Sequence, residues 1–511
     1  MTHSAFSFVT HKRSQRALRT STRVLTLSAL TAALALGVQA ASAATPDFSS
    51  VSAATATAPT NTNSLLAGAS LTTGKRLQST NGLYRLTLQG DGNLVIYTAA
   101  GKPIWATNTV GRGGVRLVLQ KDSNLVLYTS KGKAVWASNT VGKGAAYLLL
   151  KDDGNLVLNN ATGAKVWATN TAGVPYASMV SFGDSLSDVG TYRVSTIAAV
   201  GGGKYNVNGP VGRNWTEVLS AALQLKTPCA AQTGLNSVIP SIPPAAVTNH
   251  AGCYGYAQGG ARVTNPVGPG NINTYPQDAN GALGQMTDPV INQINRHLNT
   301  VGGRFSGKEL VTVLAGGNDA FMNLAIVAGT AAATNNDPGA VGAASQNAVA
   351  AMAQAGAELA ADVNTLIVGK GAKRVVVMTL PDLSQTPYAL TKPASTQGLI
   401  NAMVTAFNSA LTSNLQASSA VLVVDAYAQG RLQFANPAQY GITSVTTPAC
   451  DLTKTIFASS LVCSTATLAT GDVSRYAFAD GVHPAPYGYA LLAGYTAYKM
   501  AAQSWLTAPR Q

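Results

Sequence analysis

The sequence predicts an all-β region followed by a larger α/β region built as a three-layer sandwich. Three observations support this prediction: a 31-residue repeat in the first part, strands alternating with helices in the second, and a length of 511 residues. Such a length exceeds what one hydrophobic core usually serves, so more than one domain is expected. The composition, 46% hydrophobic and 11% charged, is typical of an ordered globular protein.

The first 43 residues have the pattern of an export signal. Five lysines and arginines precede an apolar run at 24–38, and Ala41-Ser42-Ala43 follows it. The run is shorter than the ~20 residues of a membrane-spanning helix. We expect a signal peptide at 1–43, cleavage near Ala43, a secreted or periplasmic protein and no membrane span. Residues 44–62, rich in Ala, Thr, Ser and Pro, predict a linker.

The net charge of +14 includes five positive charges within residues 1–43, which leaves +9 for the expected mature chain. Its basic residues are scattered and no nucleic-acid-binding motif is present, so no nucleic-acid partner is expected. Neither a metal-ligand spacing nor a phosphate-binding glycine loop occurs. We therefore predict neither a metal nor any other cofactor.

The four cysteines, an even number in a chain with an export pattern, predict two disulfides. Three pairings are possible. The pairing of Cys229 with Cys253 and of Cys450 with Cys463 is favoured, because it closes the smallest loops.

A motif repeats at intervals of 31 residues within 63–173, beginning at Gln89, Gln120 and Lys151. Each copy alternates polar and apolar residues and is followed by a tryptophan at 105, 136 or 167. Units this short cannot each bury an apolar face, so three should pack around a common axis with the tryptophans inside.

The first two copies resemble the motif Q-x-D-x-N-x-V-x-Y of bulb-type mannose-binding lectins, which fold as a three-sided β-prism. The resemblance implies mannose-type glycan binding by Gln89, Asp91, Asn93 and Tyr97, around Val95, and by Gln120, Asp122, Asn124 and Tyr128, around Val126. The third copy has Lys151 and Asn159 in place of Gln and Tyr, so a weakened or lost site is expected. Alternating polar residues can also simply line the solvated face of a strand.

From 176 to 507 the pattern predicts strands at 178–182, 310–314, 374–380 and 421–424. Helices are predicted near 214–225, 340–367, 397–416 and 487–505, and long loops at 226–286. Ligands of such folds bind beyond the carboxyl ends of the strands.

Ser185 follows the first of these strands in the segment Gly183-Asp184-Ser185. We expect it at the start of a helix, where free N–H groups can stabilise an oxyanion, although Asp and Ser also cap ordinary helices. A nucleophilic serine needs a base. His483 lies three residues after Asp480, which can hold the imidazole in one tautomer.

The other histidines after residue 43 lack such a partner. His297 is interpreted as a solvated helix residue and His250 as a loop residue. Oxyanion donors are expected from the backbone of Gly260 and the side-chain amide of Asn318, although both segments could be ordinary turns.

The blocks at 183–188, 259–260, 316–319 and 480–483 together resemble the GDSL/SGNH hydrolases, in the family's order. The resemblance implies a flavodoxin-like SGNH sandwich, with Ser185 as nucleophile, His483 as base and Asp480 as its orienting residue. It also implies an oxyanion hole formed by the Ser185 N–H, Gly260 and Asn318. Gly255 departs from the asparagine of many members, which would loosen the placement of Gly260.

The predicted function is that of a secreted serine esterase or lipase, acting on acyl lipids, small esters or acylated glycans and directed to glycans by its first region. Two alternatives stay open: an acyltransferase of the same fold, and a carbohydrate-binding protein whose hydrolase domain is inactive.

Overall fold

The computed structural model describes residues 63–80, 82–99, 101–171, 176–503 and 505–506. The predicted signal peptide and linker lie outside the described residues, all of which belong to one compact unit. Within this part of the chain, no helix is long and apolar enough to cross a lipid bilayer.

The first described region is all β. Its strands are β1 (Ser64–Leu66), β2 (Ser70–Thr72), β3 (Arg76–Gln78), β4 (Tyr84–Leu88), β5 (Leu94–Thr98), β6 (Pro103–Ala106), β7 (Gly114–Leu119), β8 (Leu125–Thr129), β9 (Ala134–Ala137), β10 (Ala145–Leu150), β11 (Leu156–Asn160) and β12 (Lys165–Ala168). They form antiparallel four-stranded sheets in the orders β3-β4-β5-β6, β2-β7-β8-β9 and β1-β10-β11-β12. Each sheet contains one copy of the repeat, so the predicted three-sided prism is confirmed.

Equivalent leucines of the three copies form the prism's interior. Leu86, Leu117 and Leu148, spaced by 31 residues, are fully buried. The three tryptophans pack edge to face on one another, with ring centroids 5.8–6.3 Å apart. A shared core of this kind explains why the repeats fold together, since no single sheet encloses its own apolar side chains.

The second region contains β13 (Ser178–Gly183), β14 (Gln232–Leu235), β15 (Ala245–Asn249), β16 (Glu309–Leu314), β17 (Val375–Met378) and β18 (Val421–Val424). Its helices are α1 (Ser195–Ala199), α2 (Trp215–Ala222), α3 (Val290–Thr300), α4 (Gly317–Ala333), α5 (Pro338–Asp362), α6 (Pro387–Leu390), α7 (Ala394–Asn414), α8 (Ala426–Ala435) and α9 (Pro486–Ala502). A parallel sheet in the order β13-β16-β17-β18 forms its centre.

Alternate residues of this sheet face different helices. Leu310, Val376 and Val424 pack with α2 and α9 on one side, while Val311, Val377 and Phe182 pack with α3, α4, α5 and α7 on the other. This is the three-layer α/β sandwich predicted from the sequence.

The structure adds elements that the sequence pattern did not predict. Helices α4 and α8 follow strands directly, and the hairpin of β14 and β15 lies within the segment 226–286, which was predicted to consist of loops. Both favoured disulfides, Cys229–Cys253 and Cys450–Cys463, are formed.

Candidate active site

The backbone leaves β13 in a turn that brings Ser185 to the carboxyl end of the sheet. Gly183 has φ +146°, and a Cβ at this position would lie 2.0 Å from the carbonyl oxygen of Leu314 on β16. Only glycine permits so close an approach. The chain then turns at once, because the Ser187 N–H donates to the Asp184 carbonyl, 3.1 Å away. Ser185 therefore lies in a turn, and the expectation that it begins a helix was wrong.

Ser185, His483 and Asp480 form a continuous chain of hydrogen bonds. His483 Nε2 lies 2.9 Å from Ser185 Oγ. On the opposite side of the ring, His483 Nδ1 lies 2.8 Å from Asp480 Oδ2 and 3.0 Å from Oδ1. With Nδ1 protonated towards the carboxylate, Nε2 can accept the serine proton.

Asp480 is a buried carboxylate with partners on both oxygens. Oδ1 accepts the N–H groups of Val482 and His483, and Oδ2 accepts that of Ser460. Burial alone would raise the pKa of Asp480, but the neighbouring His483 and these donors hold the pKa well below its usual range. The group therefore stays ionised and can stabilise a protonated imidazole.

Tyr205, a residue that the sequence did not single out, packs against the imidazole of His483. The two ring centroids are 4.7 Å apart with planes tilted by 33°. Gln285 Nε2 donates to the Tyr205 hydroxyl at 2.6 Å, which fixes the far end of the ring. Tyr205 thus restricts the histidine from the side that its hydrogen bonds leave unrestrained.

Gly260 and Asn318, the two expected oxyanion donors, belong to segments tied together by a side-chain bond. Asn318, in the first turn of α4, donates from Nδ2 to the Ala261 carbonyl at 2.8 Å. Gly260 has φ +79°, and a Cβ there would lie 2.4 Å from the Pro269 carbonyl. The amide of Asn318 carries a second N–H, which is the one that could meet a substrate oxygen.

Two buried aspartates fix the glycine segment. Asp188 accepts the N–H groups of Gly190, Thr191 and Gly259. Asp319 pairs with Arg262 at 2.9 Å and accepts the Val263 N–H. These bonds join the segment to the turn that contains Ser185 and to α4, so every block of the sequence motif contributes a fixed contact.

Asp184 is also buried, immediately before Ser185. Its Oδ1 accepts the Leu186 N–H at 3.0 Å. Burial raises the pKa of Asp184 to about 7, although the Leu186 N–H and the neighbouring His483 oppose the rise. Through its bond to Leu186, this side chain stabilises the turn that contains Ser185.

Gly255 has no room for the asparagine of many related sequences. A Cβ there would lie 2.6 Å from Val189 Cγ2 and 2.8 Å from the Cys229 carbonyl. The Gly255 N–H donates to that same carbonyl at 3.0 Å. The backbone of the disulfide-bonded Cys229 therefore lies so close to position 255 that glycine fits there and a larger residue does not.

His297 is buried, so its interpretation as a solvated residue was wrong. Its ring packs among Phe182, Tyr254, Tyr256 and Phe305. Burial lowers the pKa of His297 to about 4, with a small opposing effect of Glu309. In contrast, His250 lies beside the hairpin of β14 and β15, where its Nε2 is 2.9 Å from Thr233 Oγ1.

The first two lectin-like motifs have matching geometry. Gln89 Nε2 donates to the Tyr97 hydroxyl at 2.9 Å, and Gln120 Nε2 donates to the Tyr128 hydroxyl at 3.0 Å. Both aspartates of these motifs are exposed, and each uses one oxygen to accept the N–H two residues later. Gln89 and Asp91 lie in the turn before β5, so the motif spans a turn and a strand.

The asparagines of these motifs also accept hydrogen bonds that stabilise the fold. Asn93 Oδ1 accepts the Thr109 N–H at 3.0 Å and the Thr107 hydroxyl at 3.1 Å. Asn124 Oδ1 accepts the Thr140 N–H at 3.1 Å and the Ser138 hydroxyl at 3.2 Å. Only the amide N–H groups of these side chains are therefore left to meet a ligand.

The third copy of the motif makes different contacts at the positions where its sequence departs from the first two copies. Lys151 Nζ pairs with Asp153 Oδ2 at 3.2 Å, so a cation from the chain itself meets the carboxylate. Asn159, in the place of the tyrosine, is buried. A Cβ at Gly154 would meet the Tyr84 ring at 2.6 Å, so this motif is packed against its neighbouring sheet.

The all-β region is similar to solved lectin structures. The Japanese Marasmius oreades lectin is 30% identical, covering 22% of this chain and 92% of that chain (TM-score 0.21). The Polygonatum cyrtonema lectin complexed with monomannoside is 42% identical, covering 21% and 96% (TM-score 0.18). The mannose-specific agglutinin from snowdrop (Galanthus nivalis) bulbs, complexed with methyl-α-D-mannoside, is 41% identical over the same shares (TM-score 0.18).

No curated protein matches the chain. The model of one protein family, described as GDSL-like Lipase/Acylhydrolase, matches residues 179–495, more than half of the chain. The match contains the turn with Ser185, both segments of the expected oxyanion hole and the Asp480–His483 pair. The chain therefore belongs to the GDSL-like lipase/acylhydrolase family.

Proposed function

We propose that the protein hydrolyses carboxylic esters through an acyl-enzyme on Ser185. The observation that carries the proposal is the relay in which His483 Nε2 lies 2.9 Å from Ser185 Oγ while Asp480 holds Nδ1. Nucleophile and base within hydrogen-bonding reach, with the base oriented by a third group, are what nucleophilic catalysis by serine requires.

The reaction proceeds in two halves. Ser185 Oγ attacks the ester carbonyl carbon as its proton moves to His483 Nε2, and the imidazolium then protonates the departing alcohol as the carbon–oxygen bond breaks. Water repeats the sequence on the acyl-enzyme, giving the acid and free Ser185. Donors from the Ser185 and Gly260 backbone and from Asn318 stabilise the oxyanion, a contribution of about 3 kcal/mol for a single well-placed donor.

Hydrolysis of p-nitrophenyl esters from acetyl to palmitoyl tests the proposal. Ser185→Ala should abolish p-nitrophenol release, while Ser474→Ala, which alters an exposed serine outside the site, should leave it unchanged. Ester cleavage that survives Ser185→Ala would refute the mechanism. Product analysis in the presence of an alcohol acceptor distinguishes hydrolysis from acyl transfer.

The first two lectin-like motifs support a second function, the binding of mannose-type glycans. In each, the exposed aspartate, the Gln–Tyr pair and the asparagine N–H groups offer both donors and acceptors to sugar hydroxyls. Two such sites on one prism would anchor the enzyme to glycan-bearing surfaces with added avidity. The third copy, whose carboxylate meets Lys151, is left out of this proposal.

Retention on immobilised mannan tests the sugar sites. Asp91→Asn combined with Asp122→Asn should abolish retention, whereas Asp153→Asn, the same change in the third copy, should leave it intact. Equal retention of all three proteins would contradict the assignment. Folding of each variant is checked by its esterase activity.

The proposal includes export from the cytoplasm. The charged and apolar pattern of residues 1–43 and the two disulfides support it. Mass spectrometry of the protein recovered from outside the cells should find an N-terminus near Ala44. Recovery of the uncleaved chain from the cytoplasm would contradict export.

A further inference from the structure

The positive charge of the expected mature chain is concentrated in the lectin-like region. Residues 63–173 contain twelve lysines and arginines against four aspartates, whereas residues 174–511 contain seventeen basic and fifteen acidic residues. Although the basic residues are scattered along the sequence, the lectin-like region therefore has a net charge of +8 and the hydrolase region one of +2. A surface with such an excess attracts anions.

Two of these cations lie beside the two intact lectin-like motifs. Arg85 on β4 is directly opposite Tyr97 on β5, and Arg116 on β7 is directly opposite Tyr128 on β8. The residue that follows each arginine and the residue that precedes each tyrosine are fully buried, so the arginines and tyrosines point to the outer face of the prism. Side chains at such opposed positions have Cβ atoms about 5 Å apart.

In the first copy the arginine contacts the sugar motif itself. The Arg85 guanidinium carbon lies 5.2 Å from the ring centroid of Tyr97, the same tyrosine that accepts the hydrogen bond from Gln89. Arg85 Nη1 donates to the uncharged carbonyl of Thr98 at 3.3 Å. Within the part of the chain that the structure describes, no carboxylate forms an ion pair with Arg85 or Arg116. Both positive charges are thus available to a ligand.

The third copy, whose sugar motif has departed from the pattern, lacks the arginine as well. The equivalent residue is Tyr147 on β10, which lies opposite Asn159 on β11. All three copies nevertheless form the same kind of four-stranded sheet. The fold therefore does not require an arginine at this position, and the arginine accompanies the intact sugar motif.

We propose that the two intact sites bind mannose-type glycans that carry a negatively charged substituent, a phosphate or a carboxylate, which pairs with Arg85 or Arg116. This inference rests on the sugar sites proposed above. A guanidinium group presents its donors in a fork that matches both kinds of anion. Asp91 and Asp122 lie in the turns before β5 and β8, whereas the tyrosines lie near the far ends of these strands. The carboxylate and the arginine of each site therefore contact different parts of the ligand.

Affinities for three ligands test the proposal: neutral mannan, phosphomannan, and mannan whose primary hydroxyls have been oxidised to carboxylates. The measurements are made at about 0.15 M salt, which screens long-range attraction. The wild-type chain should bind at least one charged ligand about tenfold more tightly than neutral mannan, and the ligand it prefers identifies the source of the charge. Equal affinity for all three ligands overturns the proposal.

The prism offers a matched pair of double substitutions. Arg85→Gln combined with Arg116→Gln should lower the affinity for the preferred charged ligand about tenfold and leave that for neutral mannan unchanged. Lys75→Gln combined with Lys165→Gln removes the same charge at exposed positions that are not opposite either tyrosine, and should keep the preference. An equal loss in both double variants would indicate general attraction to a basic surface and overturns the proposal.

Two further measurements separate this proposal from its alternatives. Neutral mannan bound equally well by the wild-type chain and by Asp91→Asn combined with Asp122→Asn refutes the sugar sites themselves, whereas equal affinities for neutral and charged mannans refute only the role of the arginines. Vesicles of phosphatidylglycerol provide an anionic surface without mannose and should bind much more weakly than the preferred mannan. Vesicle binding of equal strength that is lost with the two arginines would assign them to a membrane surface and overturns the proposal.

Discussion

At the scale of single residues, the site depends on how tightly His483 is held. Asp480 fixes Nδ1, Ser185 lies at Nε2, and the Tyr205 ring covers one face of the imidazole at 4.7 Å. Neither periodicity nor a motif marks Tyr205 in the sequence, because its contact joins residues almost 280 positions apart. By contrast, Asp480 and His483 are neighbours in sequence and could be predicted.

We expect Tyr205→Leu to lower kcat about tenfold to a hundredfold, because a small displacement of a catalytic group carries a cost of this size. Tyr205→Phe keeps the ring, loses only the bond from Gln285, and should stay within about threefold of wild type. Comparing kcat and KM of both variants on one ester tests this. Equal activity of Tyr205→Leu and wild type would show that the ring does not position the base.

His297 makes the stability of the fold sensitive to acid. Its pKa is lowered to about 4 by burial, whereas in the unfolded chain the ordinary value of 6.5 applies. Between these values the unfolded state binds more protons than the native state, so stability is greatest above pH 6.5 and decreases as the pH falls towards 4. The loss is about 3 kcal/mol in full.

Urea unfolding at pH 7 and pH 4.5 measures this effect. His297→Phe keeps an aromatic ring among the aromatic neighbours and should remove most of the decrease in the free energy of unfolding between pH 7 and pH 4.5. His250→Gln, the control, should show the same decrease as wild type. A decrease of the same size in His297→Phe as in wild type would place the acid sensitivity elsewhere.

At the scale of elements, the disulfide Cys450–Cys463 stabilises the loop that carries Asp480 and His483. The segment it closes includes Ser460, whose N–H donates to Asp480 at 3.1 Å. The Cys450 N–H donates to the Ala479 carbonyl at 2.9 Å. A covalent link thus lies one contact from Asp480.

Replacing both Cys450 and Cys463 by Ala should lower the free energy of unfolding by about 3 kcal/mol, as expected for a loop of this length, and should also reduce kcat. In the matched control, Cys229 and Cys253 are both replaced by Ala. This disulfide lies next to Gly255 and not next to Asp480, so its loss should reduce kcat less. Chemical denaturation of both variants measures the free energy of unfolding, and ester kinetics measure kcat. A larger loss of kcat in the second pair would contradict this account.

The elements that could be predicted are those whose side chains repeat regularly. The apolar runs of β13, β16, β17 and β18 and the 31-residue spacing of the tryptophans indicated both folds. Helix α4 was not predicted because its glycines and alanines give little contrast between its faces. The turn at Ser185 has the sequence pattern of a helix start, because Asp and Ser favour both structures.

At the scale of the whole molecule, the prism and the sandwich share a buried contact. The Tyr84 hydroxyl on β4 donates to the Leu506 carbonyl at 2.7 Å, and the Tyr176 hydroxyl donates to the Trp505 carbonyl at 2.8 Å. Trp505 also lies under the Arg374 guanidinium, 5.1 Å from its ring centroid. Residues of both regions belong to one hydrophobic cluster, so the lectin-like region packs directly on the hydrolase.

This contact should couple the unfolding of the two regions. Tyr84→Ala removes both the ring and the hydrogen bond. We expect calorimetry to resolve two separate unfolding transitions in this variant, whereas in the wild-type chain the two transitions coincide or lie closer together. Arg85→Ala, on the neighbouring position of β4, is the control. An unchanged trace for Tyr84→Ala would show that this contact does not couple the unfolding of the two regions.

Covalent trapping of Ser185 by a fluorophosphonate, followed by mass spectrometry of the peptides, tests the catalytic assignment most directly. We expect one adduct, on Ser185, whose formation slows at least a hundredfold in His483→Ala. Labelling of another serine, or labelling of Ser185 at the same rate without His483, would contradict the assignment of Ser185, His483 and Asp480 as the catalytic machinery.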